Sequence, residues 1–305
     1  MILNKKILSL ILTINFISFI SLNSFGLEQK DNSYLTVRFE GKVVNIKTED
    51  VLASLVESEM GRTFPEEALK AQTIACHTFI LRNIQKNQYL NFIYKKPSEK
   101  VKKAVEEVLD LVVLKNGEKN KLAFTPYCSC VADKTNDAID IWGFESTSSV
   151  ESKYDFLSPT YQKQCRYSLG EVKELFKNKW SLELENIEPE DIFKVLTKTK
   201  AGYNGKMSVG AYNKYFRKIS NKETDITARL IREEVLTKLG SPKFEIFYDK
   251  DKQEFIFTSY GFGHGVGMSQ FGAKFYNEKE NWNYENILNH YYPNSEIKSL
   301  KDVEI

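Results

Sequence analysis

The stretch Glu254-Phe255-Ile256-Phe257-Thr258-Ser259-Tyr260, running into Gly261-Phe262-Gly263-His264-Gly265-Val266-Gly267-Met268-Ser269-Gln270-Phe271-Gly272-Ala273, decides the fold class. Its first seven residues alternate as a half-buried strand does. Four glycines then fall on alternate positions, with one histidine among them. Glycine has no Cβ, so such a backbone can take φ > 0 and let another group approach closely. A strand leading into a glycine loop also opens dinucleotide-binding βαβ units, but those continue into more sheet. Here one helix-sized segment follows before Ile305, and no Gly-Lys-Ser/Thr phosphate loop occurs in the chain. Nucleotide binding is set aside. The bland alternative is a tight turn carrying one exposed imidazole.

Outward from that stretch, helical and strand patterns follow one another without regular alternation, which argues α+β over a doubly wound sheet. Tyr34 to Phe39 alternates like a strand, with Val43 to Ile46 as its hairpin partner. Glu49 to Met60 carries a helical stripe of Val51, Leu52, Leu55 and Val56. A second helix starts near Thr63 and runs past Arg82, and Ser98 opens a third with Val101, Ala104, Val105 and Val108 on one side. Leu111 to Leu114, Asn116-Gly117 and Leu122 to Phe124 read as a hairpin with an Asn-Gly turn. Residues 170–240 are mixed and charged, without repeats, and read as a smaller α+β insertion in a domain spanning 34–305.

Composition narrows the class. With 305 residues, 42% hydrophobic and 28% charged, the chain is globular in character. Residues 1–26 stand apart: Lys5 and Lys6 precede an uncharged run from Ile7 to Leu22, and Ser24-Phe25-Gly26 offers small residues at a cleavage site. That pattern is a secretory signal, with an uncleaved membrane anchor as the alternative, and either exports the body. Without those two lysines the formal charge of +2 falls to zero. A neutral body with interspersed charges is not a nucleic-acid binder. Cys76, Cys128, Cys130 and Cys165 form no dense scaffold, and Cys128-Ser129-Cys130 is too closely spaced for the common zinc knuckle. The spacing favours thiols or a disulfide over a structural zinc at Cys128 and Cys130 completed by Cys165 or a histidine. No His-Glu-x-x-His pairing points to metal catalysis.

The second helix carries the chemistry. Thr63-Phe64-Pro65-Glu66 reads as a capping box, which gives Glu66 a structural task. Glu67 lies in line with Ala71, Ile74 and Thr78, the small and apolar side of the helix, with Lys70 within reach. A glutamate at the edge of an apolar face is expected to have a raised pKa, as a general acid at neutral pH requires. The alternative is a surface glutamate favoured by the helix dipole.

At these residues the chain resembles a known family. Pro65-Glu66-Glu67-Ala68-Leu69-Lys70-Ala71-Gln72-Thr73-Ile74-Ala75-Cys76-His77-Thr78 is similar to the P-x-E-A-L-K-A-Q-A-x-A-A-R-T segment of the stage II sporulation protein D family, the SpoIID/LytB domain. Gly263 to Ala273 resembles that family's second signature, and Leu288-Asn289-His290-Tyr291-Tyr292-Pro293 its third. The chain departs from the pattern at Cys76 and His77. It also departs at Tyr127-Cys128-Ser129-Cys130-Val131-Ala132-Asp133-Lys134-Thr135, where the family shows Y-H-S-T-S-G-G-x-T.

The resemblance implies a mixed sheet and helices forming a glycan-binding cleft, in an extracytoplasmic enzyme that is membrane-anchored or, alternatively, secreted. It implies a peptidoglycan lytic transglycosylase that gives anhydro-muramoyl products in septal wall degradation during engulfment, with no required cofactor and a cell-wall amidase as partner. The family's catalytic glutamate falls on Glu67. His264, Gln270 and Ser269 become candidates for holding sugar acetamido and hydroxyl groups and Tyr260 a stacking face, while His290 is either a further candidate or a packing residue. The second reading is a non-catalytic glycan-binding enhancer of an amidase.

Overall fold

Alternating residues pair Tyr34–Phe39 (β1) with Lys42–Lys47 (β2) in an antiparallel hairpin whose turn places Gly41 at φ 78°. The computed structural model describes residues 33–304. The segment 1–26 read as a signal or anchor lies outside the described residues. In chain order there follow α1 (Thr48–Glu59), α2 (Glu66–Ile84), β3 (Asn91–Phe92), α3 (Glu99–Glu106) and β4 (Leu111–Lys115). Then come β5 (Tyr127–Cys128), α4 (Ala138–Trp142), β6 (Gln162–Ser168), α5 (Leu169–Trp180), β7 (Phe193–Val195), β8 (Met207–Val209), β9 (Lys214–Arg217) and β10 (Lys222–Asp225). The chain closes with α6 (Ala228–Leu230), β11 (Phe244–Asp249), β12 (Glu254–Tyr260), β13 (Met268–Ser269), α7 (Gln270–Glu280), α8 (Tyr284–Tyr291) and β14 (Ser295–Ser299). Helices and several small sheets make this an α+β protein. Among the described residues no helix is long and apolar enough to cross a membrane.

The described residues divide into two units, 33–126 with 276–304, and 127–275. In the first, α2 is the central helix and packs against α1, α3, α8 and β4. Its residues from Ala71 to Leu81 are buried throughout, so its polar members must be satisfied locally. Thr78 Oγ1 donates to the Ile74 carbonyl and accepts from the Val113 amide at 2.9 Å, which ties the helix to β4. β4 finds its main partner in β14, antiparallel, while Leu122 touches it through a single bridge. The expected return after Asn116-Gly117 is therefore present but short.

The capping box expected at Thr63 is not formed. α2 begins at Glu66 with Pro65 as N-cap, and no side chain caps it. Proline pushes the residue before it out of the helical region, so Phe64 cannot begin a helix that includes Pro65. Glu66 and Glu67 together form the acidic first turn. Ser98 does open α3, but its hydroxyl and amide both donate to the Glu57 carboxylate rather than to the helix.

The second unit is built on an antiparallel sheet of order β11-β12-β6. Along β12, Phe255, Phe257 and Ser259 point inward, as the alternation required. Those rings meet Tyr167, Phe176, Trp180 and Tyr215 in one apolar core, so residues from 170–240 share their interior with β6, β11 and β12.

Candidate functional site

In the first unit the candidate acid stands at the exposed end of the buried face of α2. Ala71, Ile74 and Thr78 are fully buried, whereas the Glu67 side chain is 27% exposed. One carboxylate oxygen accepts from Lys70 Nζ at 3.0 Å, and the other accepts from the Tyr284 amide at 2.8 Å. That amide is one of the donors that the first turn of α8 cannot use internally, so the helix end presents an N–H and a positive dipole to the carboxylate. Lys70 also touches Glu107 at 2.6 Å and Glu66 at 3.4 Å. Burial opposes the charge on Lys70, but its hydrogen bonds to Glu107 and Glu67 outweigh this and raise its pKa above the usual lysine range.

The other two elements singled out in this unit are packed. His77 is 1% exposed and faces the backbone of Leu109 and Leu111, and burial lowers its pKa from 6.5 to about 4. His290 lies among the rings of Tyr276, Trp282 and Tyr291, with centroids at 5.0, 5.2 and 4.9 Å.

In the second unit the glycine loop joins β12 to β13, and each alternate glycine has positive φ: 78° at Gly261, 114° at Gly263, 75° at Gly265 and 71° at Gly267. The spacing that marked the loop in the sequence is thus a backbone requirement. At two positions it is steric as well. A Cβ on Gly263 would lie 2.8 Å from Cys128 Cβ, and one on Gly265 2.7 Å from the Tyr203 ring. The loop lies along the Cys128-Ser129-Cys130 segment: Phe262 and Cys130 exchange backbone hydrogen bonds, the Phe271 amide donates to Ser129, and β13 runs parallel to β5. The segment in which this chain departs from the family pattern is therefore the floor of the Gly-His-Gly loop.

His264 is held neutral there. Its Nδ1 accepts from the Val266 amide at 3.1 Å, and its ring lies 4.9 Å from that of Trp142. Burial, reinforced by the charge of Arg232 and against a hydrogen bond to the Tyr127 backbone, lowers its pKa to about 3. Its Nδ1 is thus engaged by the loop itself. Ser269 is fully buried and accepts from the Gly272 amide at 3.0 Å, which caps α7, while its hydroxyl donates to Asp155. Gln270 is 4% exposed at the start of α7. Tyr260 keeps its ring partly exposed, edge-on to Tyr161 at 6.3 Å, and its hydroxyl reaches Glu245 at 3.4 Å.

Asp155 was not singled out in the sequence and is the polar centre of this unit. It is fully buried, and its carboxylate accepts from the Val131 amide at 2.7 Å and from the Ser152 and Ser269 hydroxyls. Burial outweighs those donors and raises its pKa to about 6. Its bond to Ser269 spans 114 residues of sequence and, with the Val131 amide, joins the floor segment to β13, a link that no local pattern announces. The four cysteines are buried thiols, none of them in a disulfide. Burial raises the pKa of Cys128 and brings that of Cys130 to about 11, so both stay protonated. Among the described residues no group of three or more His, Cys, Asp or Glu is placed to hold a metal ion.

Comparison with known proteins agrees with the motifs. Residues 39–115, which include α2 and Glu67, match the SpoIID family model, described as Stage II sporulation protein. Over 281 residues the chain is 27% identical to Stage II sporulation protein D of Bacillus subtilis (strain 168), covering 84% of this chain and 75% of that one. The chain is thus similar to stage II sporulation protein D over most of its length. The protein of that name from Bacillus amyloliquefaciens matches over the same span with the same identity. A shorter match, 35% identical over 103 residues, is to the Amidase enhancer of Bacillus subtilis (strain 168) and covers 33% of this chain and 13% of that protein. The SpoIID match thus falls on the unit that carries Glu67, and the Gly-His-Gly signature on the other.

Proposed function

We propose that this protein is an extracytoplasmic peptidoglycan lytic transglycosylase acting in sporulation, with Glu67 as both acid and base. The observation that carries the reading is the setting of Glu67: a partly exposed carboxylate held by two donors, inside the segment that matches the SpoIID model. Hydrolytic glycosidases use two carboxyl groups, the second to activate water or attack the sugar. A transglycosylase needs only one. Protonated Glu67 gives its proton to the glycosidic oxygen as the bond to the anomeric carbon breaks. The carboxylate then takes the proton of the muramoyl primary hydroxyl as that oxygen closes onto the anomeric carbon. The acid is regenerated and an anhydro end is formed. Because the nucleophile belongs to the substrate, high effective concentration replaces a second residue.

The sugar-facing groups we propose on the second unit are Tyr260 with Tyr161 as stacking rings; Gln270 is buried at the start of α7 and is not among them. His264 and Ser269 act through the loop and the start of α7, where their polar atoms are engaged. The N-terminal segment directs export, and septal peptidoglycan during engulfment is the substrate. The activity we propose requires no cofactor.

A second reading has its own support in the match to the Amidase enhancer: a glycan-binding partner that stimulates a cell-wall amidase. The two separate in one experiment, in which Glu67→Gln is compared with wild type for binding to peptide-free glycan strands, for cleavage, and for stimulation of an added amidase. The enzyme reading predicts retained binding and lost cleavage. Full stimulation by the variant, with no cleavage by either protein, would move the function to the partner.

A further inference from the structure

The structure assigns Lys70 a role beyond neutralising charge: we propose that its ammonium is shared between Glu67 and Glu107, and that the share Glu107 takes sets whether Glu67 can carry a proton. This rests on the reading of Glu67 as the acid and base. The geometry is uneven. Lys70 Nζ lies 2.6 Å from Glu107 and 3.0 Å from Glu67, with Glu66 at 3.4 Å. The lysine is the most enclosed member of the group, 12% exposed, while Glu66 and Glu107 are 37% and 39% exposed. A charge in that position cannot move into bulk water, but it can shift between carboxylates already within reach.

The reaction gives such a shift a purpose. To protonate a glycosidic oxygen, Glu67 must first hold a proton, and an ammonium 3.0 Å away disfavours that form. Once the proton has left, the same ammonium stabilises the carboxylate that remains. A fixed Lys70 would help one half of the cycle and hinder the other. Glu107, reached from the end of α3, gives the ammonium a second place to rest. The Tyr284 amide holds the other Glu67 oxygen, so the carboxyl group keeps its orientation while Lys70 moves. The remaining charged or titratable groups facing the cluster are Lys103 from α3, 3.7 Å from Glu66 and 3.6 Å from Glu107, and the Tyr284 phenol paired with Glu285 on α8.

The test is a carboxyl-carbon NMR titration of the full-length chain with 13C-labelled glutamate, the Glu67 signal being assigned by its loss in Glu67→Gln. Lys70→Met should raise the Glu67 midpoint by about one pH unit, and Glu107→Gln should lower it. In the Lys70→Met background Glu107→Gln should then have little further effect, because Glu107 acts through Lys70. Lys70→Arg, which keeps the charge, should return the midpoint toward wild type and serves if the methionine variant folds poorly. Additive shifts in the double variant, or no shift in Glu107→Gln, would overturn the proposal. The titration needs no substrate, so a protein that cleaves no glycan would sink the functional reading and leave this measurement to decide on its own. If cleavage is found, the alkaline limb of the pH–rate profile, where Glu67 loses the proton it must donate, should move in the same directions with KM unchanged.

Discussion

Replacing Gly265 with alanine isolates what the glycine loop needs from its backbone. Gly265 has φ 75°, a region that costs an L-residue about 1–2 kcal/mol. Its new Cβ would also lie 2.7–2.9 Å from three atoms of Tyr203. Tyr203 cannot retreat easily, because it is fully buried and its hydroxyl accepts from the Ala132 amide at 2.8 Å. Overpacking of that kind costs about 1–3 kcal/mol, so the total expected loss is roughly 2–5 kcal/mol. Gly202 in the same unit supplies the control: its φ is 79°, and a Cβ there would meet nothing within 4 Å. Gly202→Ala should therefore lose only about 1–2 kcal/mol. Guanidinium unfolding followed by circular dichroism reads both losses from the transition midpoint at unchanged slope. If Gly265→Ala costs no more than Gly202→Ala, the loop is not braced against Tyr203 and the reasoning fails.

Two further predictions concern pH and act in opposite directions. His77 stays neutral in the fold down to about pH 4, whereas the unfolded chain takes up its proton near 6.5. Stability should therefore be lost as pH falls through that window, by about 3 kcal/mol in all for a fully buried ring. His77→Gln, compared with wild type by denaturant midpoint at several pH values, should flatten this fall; an unchanged slope would contradict it. For Asp155, raised from 3.8 to about 6, the folded state holds the proton longer. Its contribution is complete below about pH 4 and lost as pH rises to about 6. The gap between wild type and Asp155→Asn should thus narrow or reverse over that interval, and a constant gap would show that the carboxyl titrates in the fold as it does in the unfolded chain.

Local patterns carried much of the fold. β12 comes from strict alternation, β1 and β2 from a looser apolar pattern, α1 and α3 from apolar stripes, and the loop from glycines whose φ values are positive at each alternate position. What stayed hidden depends on separation along the chain. β14 pairs with β4 across about 180 residues, and neither strand indicates its partner. Asp155 sits in an unremarkable acidic–aromatic segment, and only the fold brings Val131 and Ser269 to it. Ser269 looked available for a ligand because its motif is polar, yet the start of α7 takes its hydroxyl. Glu67 was legible as a glutamate at the edge of an apolar face. Its clamp was not, since one donor comes from α8, 217 residues away.

On the proposed function, Glu67 drives an intramolecular closure rather than hydrolysis. Mass analysis of the ends released from peptide-free glycan strands by the full-length wild-type protein tests it most directly. Anhydro-muramoyl ends that disappear in Glu67→Gln are the predicted result. Ordinary reducing ends, or anhydro ends that persist in Glu67→Gln, would contradict it.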